Sequence, residues 1–237
     1  AIIQNYTTIS GEAFLGATGL TSVTIPASVT SIGVEAFRSA SSLNSVTFEA
    51  DSSLNSIGNY AFNYTKIGSI TIPASVTSIG DSAFREARSL TTVSFEEVSA
   101  LKTIGDYAFR YATALTSITI PASVTTIGTT AFHGGQALSS INVDPSNNNY
   151  SDVSGVLFNN DYKVLIKYPQ GKLDTSYNIP TSVEIIEAYS LYHTKLEIIN
   201  IPPSVTEIKG PLFGDSYNSA AVRTLTIEDG SELTTIA

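Results

Sequence analysis

The sequence predicts a repeat solenoid, a chain coiled so that each turn adds one strand to a parallel β-sheet. A frame spelled at residues 20–37 as Leu-Thr-Ser-Val-Thr-Ile-Pro-Ala-Ser-Val-Thr-Ser-Ile-Gly-Val-Glu-Ala-Phe returns at Ile70 to Gly80 and at Ile118 to Gly128. Altered copies follow at Ile179 to Val183 and Ile201 to Val205. Its last strand residue recurs as Ile25, Phe48, Ile72, Phe95, Ile120, Val143, Ile179, Ile201 and Ile227, in steps of 23, 24, 23, 25, 23, 36, 22 and 26. Such a period leaves room for one strand and a short return, and too little for a pair of helices.

Each strand carries apolar residues in the spacing LxxLxL, as in Leu20/Val23/Ile25, Leu43/Val46/Phe48, Leu90/Val93/Phe95 and Leu115/Ile118/Ile120. Residues two apart share a strand face, so Val23 and Ile25 are expected inside with Thr24 outside. Pro26, Pro73, Pro121, Pro180 and Pro202 then remove a backbone donor and turn the chain out of the sheet. The return supplies a second apolar set, Val29, Ile32, Ala36 and Phe37 in one turn and Leu54, Ile57, Ala61 and Phe62 in the next. It is expected as turns, irregular chain or 3-10 helix. Gly33, Gly58, Gly80, Gly105 and Gly128 follow the Ile, where a positive φ is expected. Phe14, Phe37, Phe62, Phe84, Phe109, Phe132 and Phe213 form a column that should stack along the axis opposite the sheet.

The step of 36 marks an insertion at about residues 144–178. Within it Val156-Leu-Phe158 and Val164-Leu-Ile166 flank Asn159 to Lys163, which reads as a β-hairpin turning at Asn160-Asp161 and standing out from the coil. The chain enters mid-repeat at Ile9 to Phe14 and stops at Leu233 to Ile236 before the expected Ala-Phe. Residues 1–237 are therefore expected to be a single solenoid, a fragment of a longer array.

Composition narrows the function. Hydrophobic residues make up 42% and charged residues 14%, enough for a core and against disorder. A net charge of −9 opposes nucleic-acid backbones and anionic membrane surfaces. No apolar run is long enough to insert this segment in a membrane, and with Cys 0 there is neither a disulfide framework nor a thiolate site.

The string IPxSVTxIGxxAF followed by LxxLxI resembles the BspA-like, or Treponema-type, leucine-rich repeat over nearly the whole chain. The insertion, from Val143 to Tyr150 and on through Val156 to Ile179, resembles a longer repeat variant of that family. Where the family often has Cys three residues before the strand Leu, this chain has Ala40, Ala87, Ala112 and Gly135. The resemblance implies a right-handed leucine-rich-repeat superhelix with a concave parallel sheet. It also implies an extracellular or cell-surface setting and adhesion to host or neighbouring cells through a protein or glycan ligand. It carries no catalytic or ligand motif over to any residue.

Candidate chemistry is sparse. His133 and His193 are the only histidines, outside any HExxH, and GxSxG, P-loop and GxGxxG strings are missing. Both are expected as exposed loop residues, so no enzyme, cofactor or metal site is assigned. Asp144, Ser146, Asn148, Tyr150 and Asp152 alternate as in a calcium loop, but Asn149 stands where Gly is needed and Gly155 where Glu is needed. Asn and Asp bonding their own backbone explain that run. The glycosylation triplets at Asn5, Asn63 and Asn149 are what a Ser/Thr-rich chain produces by chance.

Two surfaces remain. Thr24, Thr47, Thr71, Ser94 and Thr119 line the outward, concave face of the strands, where Thr serves solubility and strand propensity. Ice binding by this array conflicts with the curvature of such a sheet. The segments after each Phe vary more and gather Arg38, Tyr64, Arg85, Arg88, Arg110, Tyr111, His133 and Tyr192 on one rim, while Glu49, Asp51, Glu96, Glu97, Glu228, Asp229 and Glu232 gather on the other. Tyr and Arg anchor interfaces, though a charged rim also serves solubility. The expected function is a non-enzymatic recognition or adhesion module of a secreted or cell-surface protein, binding through the solenoid rim and the concave face, with the basic, aromatic rim as the favoured contact. The alternative is a structural spacer with no ligand of its own.

Overall fold

The computed structural model describes residues 6–213, 222–231 and 233–236. The rim segment Gly214-Asp-Ser-Tyr-Asn218, Asn5 and Glu232 lie outside them. Every regular element among the described residues is a strand. Ser22–Ile25 alternates as expected, with Val23 and Ile25 buried and Thr24 exposed, and it pairs in parallel with Ser45–Phe48 in the register Val23↔Val46, Ile25↔Phe48.

The long strands up to Val143 associate by twos, whereas Ser176–Asn178, Ile198–Ile201 and Thr224–Ile227 form one three-stranded parallel sheet. Ser69–Ile72 pairs over four residues with Thr92–Phe95, and Ser117–Ile120 over four with Ser140–Val143. Thr92↔Ser117 is the one pairing that links those two couples, and Ser45–Phe48 shares no ladder with Ser69–Ile72 among the described residues. The cause is an alternation in loop length. Four residues take the chain from Ile25 to buried Val29, but six are used from Phe48 to Leu54 and from Phe95 to Leu101. Asp51 (φ 56°) and Val98 (φ 57°) absorb the excess in left-handed conformation. In the same loops Glu49 and Glu96 accept from the amides of Ala27 and Ala74, one turn earlier, at 3.1 and 2.9 Å. These amides follow Pro26 and Pro73, at the point where each strand ends.

The return is more regular than the sequence indicates. Two-residue strands Thr8–Ile9, Ser31–Ile32, Ser56–Ile57, Ser78–Ile79, Thr103–Ile104 and Thr126–Ile127 form a second, unbroken parallel ladder. Pairing satisfies backbone groups that stacking removes from water, while Ile32, Ile57, Ile79 and Ile104 enter the core.

The glycines after these strands do not have the positive φ expected of them. Gly33, Gly58, Gly80, Gly105 and Gly128 are absent from the left-handed set. They are glycine because turns meet there backbone to backbone: a Cβ on Gly58 would lie 2.7 Å from the carbonyl carbon of Gly33, and one on Gly105 2.6 Å from the amide nitrogen of Asp81. The left-handed residues flank the Ala-Phe pair instead, with Glu35, Tyr60, Ser82 and Tyr107 before it and Ser39, Tyr64, Glu86 and Tyr111 after it. Their amides donate to carbonyls of the next turn, as in Glu35 to Asn59 at 2.8 Å and Tyr111 to His133 at 2.8 Å.

The phenylalanine column stacks from Phe14 to Phe132, with centroids 5.0, 5.2, 5.3, 5.4 and 5.8 Å apart. This is slightly more than the spacing of neighbouring strands, so the rings are offset. Beyond Phe132 the amide of Tyr168 donates to Ser190 at 2.9 Å, as that of Phe109 does to Ala131 at 2.9 Å, so Tyr168 takes the phenylalanine position. Leu191 takes it in the turn after. Phe213 lies partly buried in a second apolar cluster that contains Tyr168 and Leu191, while Phe14 to Phe132 belong to the first.

The insertion does not stand out from the coil. Val156–Asn159 and Val164–Lys167 form the expected antiparallel hairpin, and Tyr150–Val153 adds a third strand through a two-residue turn at Ser154-Gly155, both at positive φ. Val164–Lys167 then pairs in parallel with Ile185–Ile186, so the insertion opens the ladder that continues through Glu207–Ile208. Val156, Leu157, Phe158 and Leu165 are buried. Strands apolar on both faces have to be covered on both.

Candidate functional site

Side chains reach the rim from fixed places around each column residue. The residue after it gives Arg38, Asn63, Arg85, Arg110, His133 and Tyr192 in the respective turns. The residue two before it gives Glu35, Tyr60, Ser82, Tyr107, Thr130 and Tyr189.

Four of the sequence-assigned rim residues converge. Arg110, Tyr111, His133 and Tyr192 border a cleft of about 330 Å³ whose other walls are Tyr107, Thr130, Tyr189 and Pro211. The Arg110 guanidinium carbon lies 5.0 Å from the ring centroid of Tyr107 and 4.8 Å from that of Tyr111, and its Nη2 donates to the Tyr111 hydroxyl at 3.2 Å. The ring of Tyr111 meets His133 edge-on at 6.0 Å, and His133 lies 5.7 Å from Tyr189 and 3.9 Å from Tyr192. Gly134 (φ 78°) permits this, because a Cβ there would strike the Tyr111 ring.

His133 is therefore not the exposed loop residue expected. It is 7% exposed, because rings of neighbouring turns, Tyr111, Tyr189 and Tyr192, close around it. Tyr192, from the turn beyond, folds down over the imidazole. Tyr192 is 7% exposed itself, and His193 stacks on it at 3.9 Å. Behind this wall Lys167 is buried, with its Nζ donating to the Tyr189 carbonyl at 2.8 Å. Burial lowers its pKa to about 7. Burial pushes Tyr168 upward, as does its 2.6 Å hydrogen bond to Asp174, and the same bond holds Asp174 below its ordinary value.

The other rim candidates stand apart from the cleft. Arg38 pairs with Glu35 at 2.8 Å and Arg88 with Glu86 at 2.7 Å, while Tyr64 is exposed. Arg85 and Arg110 have no carboxylate partner among the described residues, and the buried Nε of each meets no acceptor there. Tyr107 and Tyr189 escaped the sequence reading. Their signal is the Tyr two residues before Phe109 and before Leu191, visible only once Leu191 is aligned with the column. Asn63 is buried with its amide donating to the Arg85 carbonyl at 2.8 Å, and the side chains of Asp144, Asn147 and Asp152 bond nearby backbone.

Thr24, Thr47, Thr71, Ser94 and Thr119 are exposed on the long-strand face. Within strand couples their hydroxyls bond each other, Thr24 to Thr47 at 3.2 Å and Thr71 to Ser94 at 2.9 Å. Between couples lie depressions of about 310 Å³ by Thr47 and Thr71 and about 620 Å³ by Ser94 and Thr119. The second is larger than the rim cleft, but its polar edge is solvated carboxylates and self-bonded hydroxyls. The rim cleft concentrates aromatic rings and an arginine without a carboxylate, and is the better-furnished contact site.

A family model for the BspA type leucine rich repeat region matches residues 7–139 and 170–236 in six copies. The crystal structure of the pneumococcal vaccine antigen PcpA is similar to this chain with a TM-score of 0.83 at 28% identity, over 89% of this chain and 51% of that one. A leucine rich cell surface protein from Faecalibacterium prausnitzii is similar with a TM-score of 0.72 at 30% identity, over 95% and 66%. A leucine-rich repeat protein from Eubacterium ventriosum gives 0.71 at 29% identity, over 94% and 64%. The chain thus spans between about half and two thirds of these solved proteins. The comparison with curated proteins found no match. No described helix is long and apolar enough to cross a membrane.

Proposed function

Because the chain belongs to the BspA-type leucine-rich repeat family, we propose that it is a non-catalytic recognition module of a secreted or cell-surface protein, binding a protein partner through its tyrosine- and arginine-bearing rim. The surface setting rests on the cell-surface protein and the vaccine antigen to which the chain is similar. The observation that carries the reading is the convergence of Tyr107, Tyr111, Tyr189, Arg110 and His133 on one cleft. Tyrosine and arginine supply contact area and directed donors at small entropic cost, the combination that dominates interface energetics. The threonine face is the weaker candidate, since its hydroxyls already bond one another.

An unbiased binding screen of the purified chain against matrix proteins and glycans tests this. A protein partner should be recovered, and Arg85→Glu with Arg110→Glu should weaken it. A partner indifferent to that double reversal removes the rim from the proposal. Recovery of no partner favours the spacer reading.

A further inference from the structure

We infer that the rim cleft is a receptor for an acidic side chain of a protein segment, an Asp or Glu whose carboxylate pairs with Arg110 while its stem packs against Tyr189. This rests on the rim reading above and specifies the chemistry of its partner.

The argument comes from comparing equivalent positions in different turns. Arg38 follows its column Phe and is satisfied internally, by Glu35 two residues before that Phe. Arg110 has the same place in its own turn, but the position of Glu35 is taken by Tyr107. The internal carboxylate has been exchanged for a ring, and the guanidinium lies against that ring and Tyr111. Only the bond from Nη2 to the Tyr111 hydroxyl engages it with a side chain, and its buried Nε meets no acceptor among the described residues. A guanidinium is a planar fork of donors whose complement is a carboxylate. Rings at its back restrain it and limit the freedom lost when the acid arrives.

The cleft also limits what carries the acid. A space of about 330 Å³ suits one side chain with its adjoining backbone. Most ring faces suited to stacking on a sugar are engaged: His133 and Tyr192 lie 3.9 Å apart and Arg110 lies over Tyr107 and Tyr111, so Tyr189, met only edge-on, is the ring left for the stem of the acid. A net charge of −9 repels a polyacidic partner at long range, so the acid belongs to a segment otherwise neutral or basic.

The probe is the capped tripeptide acetyl-Ala-Glu-Ala-amide, titrated into the labelled chain and followed by NMR at the Arg110 Nε–H and the backbone amides of Tyr111 and His133. Acetyl-Ala-Gln-Ala-amide and glucuronic acid are run in parallel. The glutamate peptide should shift these signals saturably and bind about tenfold or more tighter than the glutamine peptide. Arg110→Gln should abolish the shift, and Arg38→Gln should leave it unchanged. Tyr107→Glu, which restores the arrangement of Glu35 and Arg38, should also abolish binding by supplying an internal acid, with the remaining spectrum showing the fold intact. The inference is overturned by equal binding of the two peptides, by no saturable shift, by tighter binding of glucuronic acid, or by an Arg110→Gln chain that binds normally. If the screen meanwhile recovers a protein partner that Arg110→Gln does not weaken, the acid assignment falls and the rim reading stands.

Discussion

Truncation of Phe84 to alanine tests the register of the whole coil. The ring is fully buried and stacks on Phe62 at 5.3 Å and Phe109 at 5.4 Å. Phe→Ala in a close-packed core loses the transfer energy of the ring and leaves a cavity, together about 3–5 kcal/mol. Two stacked contacts, each worth roughly 0.5–1.5 kcal/mol beyond area burial, place the loss in the upper part of that range. Neighbouring turns cannot collapse into the gap, because the ladders at Ser78–Ile79 and Thr103–Ile104 fix their separation. For a chain of 237 residues the melting temperature should fall by roughly 6–20 °C. Phe84→Leu is the control: Leu191 shows that the column accepts leucine, and the cost should be about 1–3 kcal/mol, the two ring stacks without the larger cavity. Urea unfolding followed by circular dichroism gives both values. A loss below about 1 kcal/mol for the alanine variant, or equal losses for the two, would refute the stacking argument.

Ser190→Ala should stabilise the chain by roughly 1–2 kcal/mol in the same assay, because Ser190 Oγ is buried without a partner among the described residues and other turns have Ala36, Ala61, Ala83, Ala108 and Ala131 there. A loss of stability would mean that the hydroxyl is satisfied. Gly105→Ala should cost about 1–3 kcal/mol, since the added Cβ would sit 2.6 Å from the Asp81 amide nitrogen; an unchanged urea midpoint would count against backbone contact as the reason for that glycine. Lys167 gives a pH dependence. Its folded-state pKa is about 7 against an ordinary 10.5, so between these values the unfolded chain holds the extra proton. Stability should then rise by roughly 1.4 kcal/mol per pH unit between about pH 7.5 and 9.5. Above about pH 10 the buried Tyr168 and Tyr177, raised by burial, oppose the trend. Lys167→Met should flatten the rise, and a midpoint that falls across this interval in the unmodified chain would contradict the assignment.

What the sequence made legible is what one-dimensional periodicity encodes. Val23, Ile25, Val29, Ile32, Ala36 and Phe37 are buried because each lies at a constant offset in a repeated frame. Contacts between turns are less visible. Glycine after Ile32 or Ile104 looks like a left-handed position, yet it answers the approach of a neighbouring backbone some two dozen residues away in sequence. The second ladder was missed because strands of two residues, such as Ser78–Ile79, leave no alternation to read. The coupling of long strands by twos did leave a trace, in the two extra residues before Leu54 and Leu101 and in Glu49 and Glu96 beside them.

The cleft belongs to a class of feature that a repeat reading cannot supply, because it forms where the repeat is broken. In an unbroken run each rim side chain neighbours its counterpart one turn away, as Arg110 neighbours His133 along the cleft. The insertion replaces one turn with antiparallel strands, and its column residue Tyr168 is followed by Pro169. His133 is then covered by Tyr192 from the turn beyond, with Lys167 bracing the Tyr189 backbone behind. Periodicity alone would therefore spread specificity evenly along the rim. Burial of His133, substitution of Glu35 by Tyr107 at the equivalent place, and the arginine left without a carboxylate concentrate it at one notch. The expected consequence is positional: rim substitutions at Arg38 or Arg88, already paired, should change partner binding far less than those at Arg110 or Tyr107.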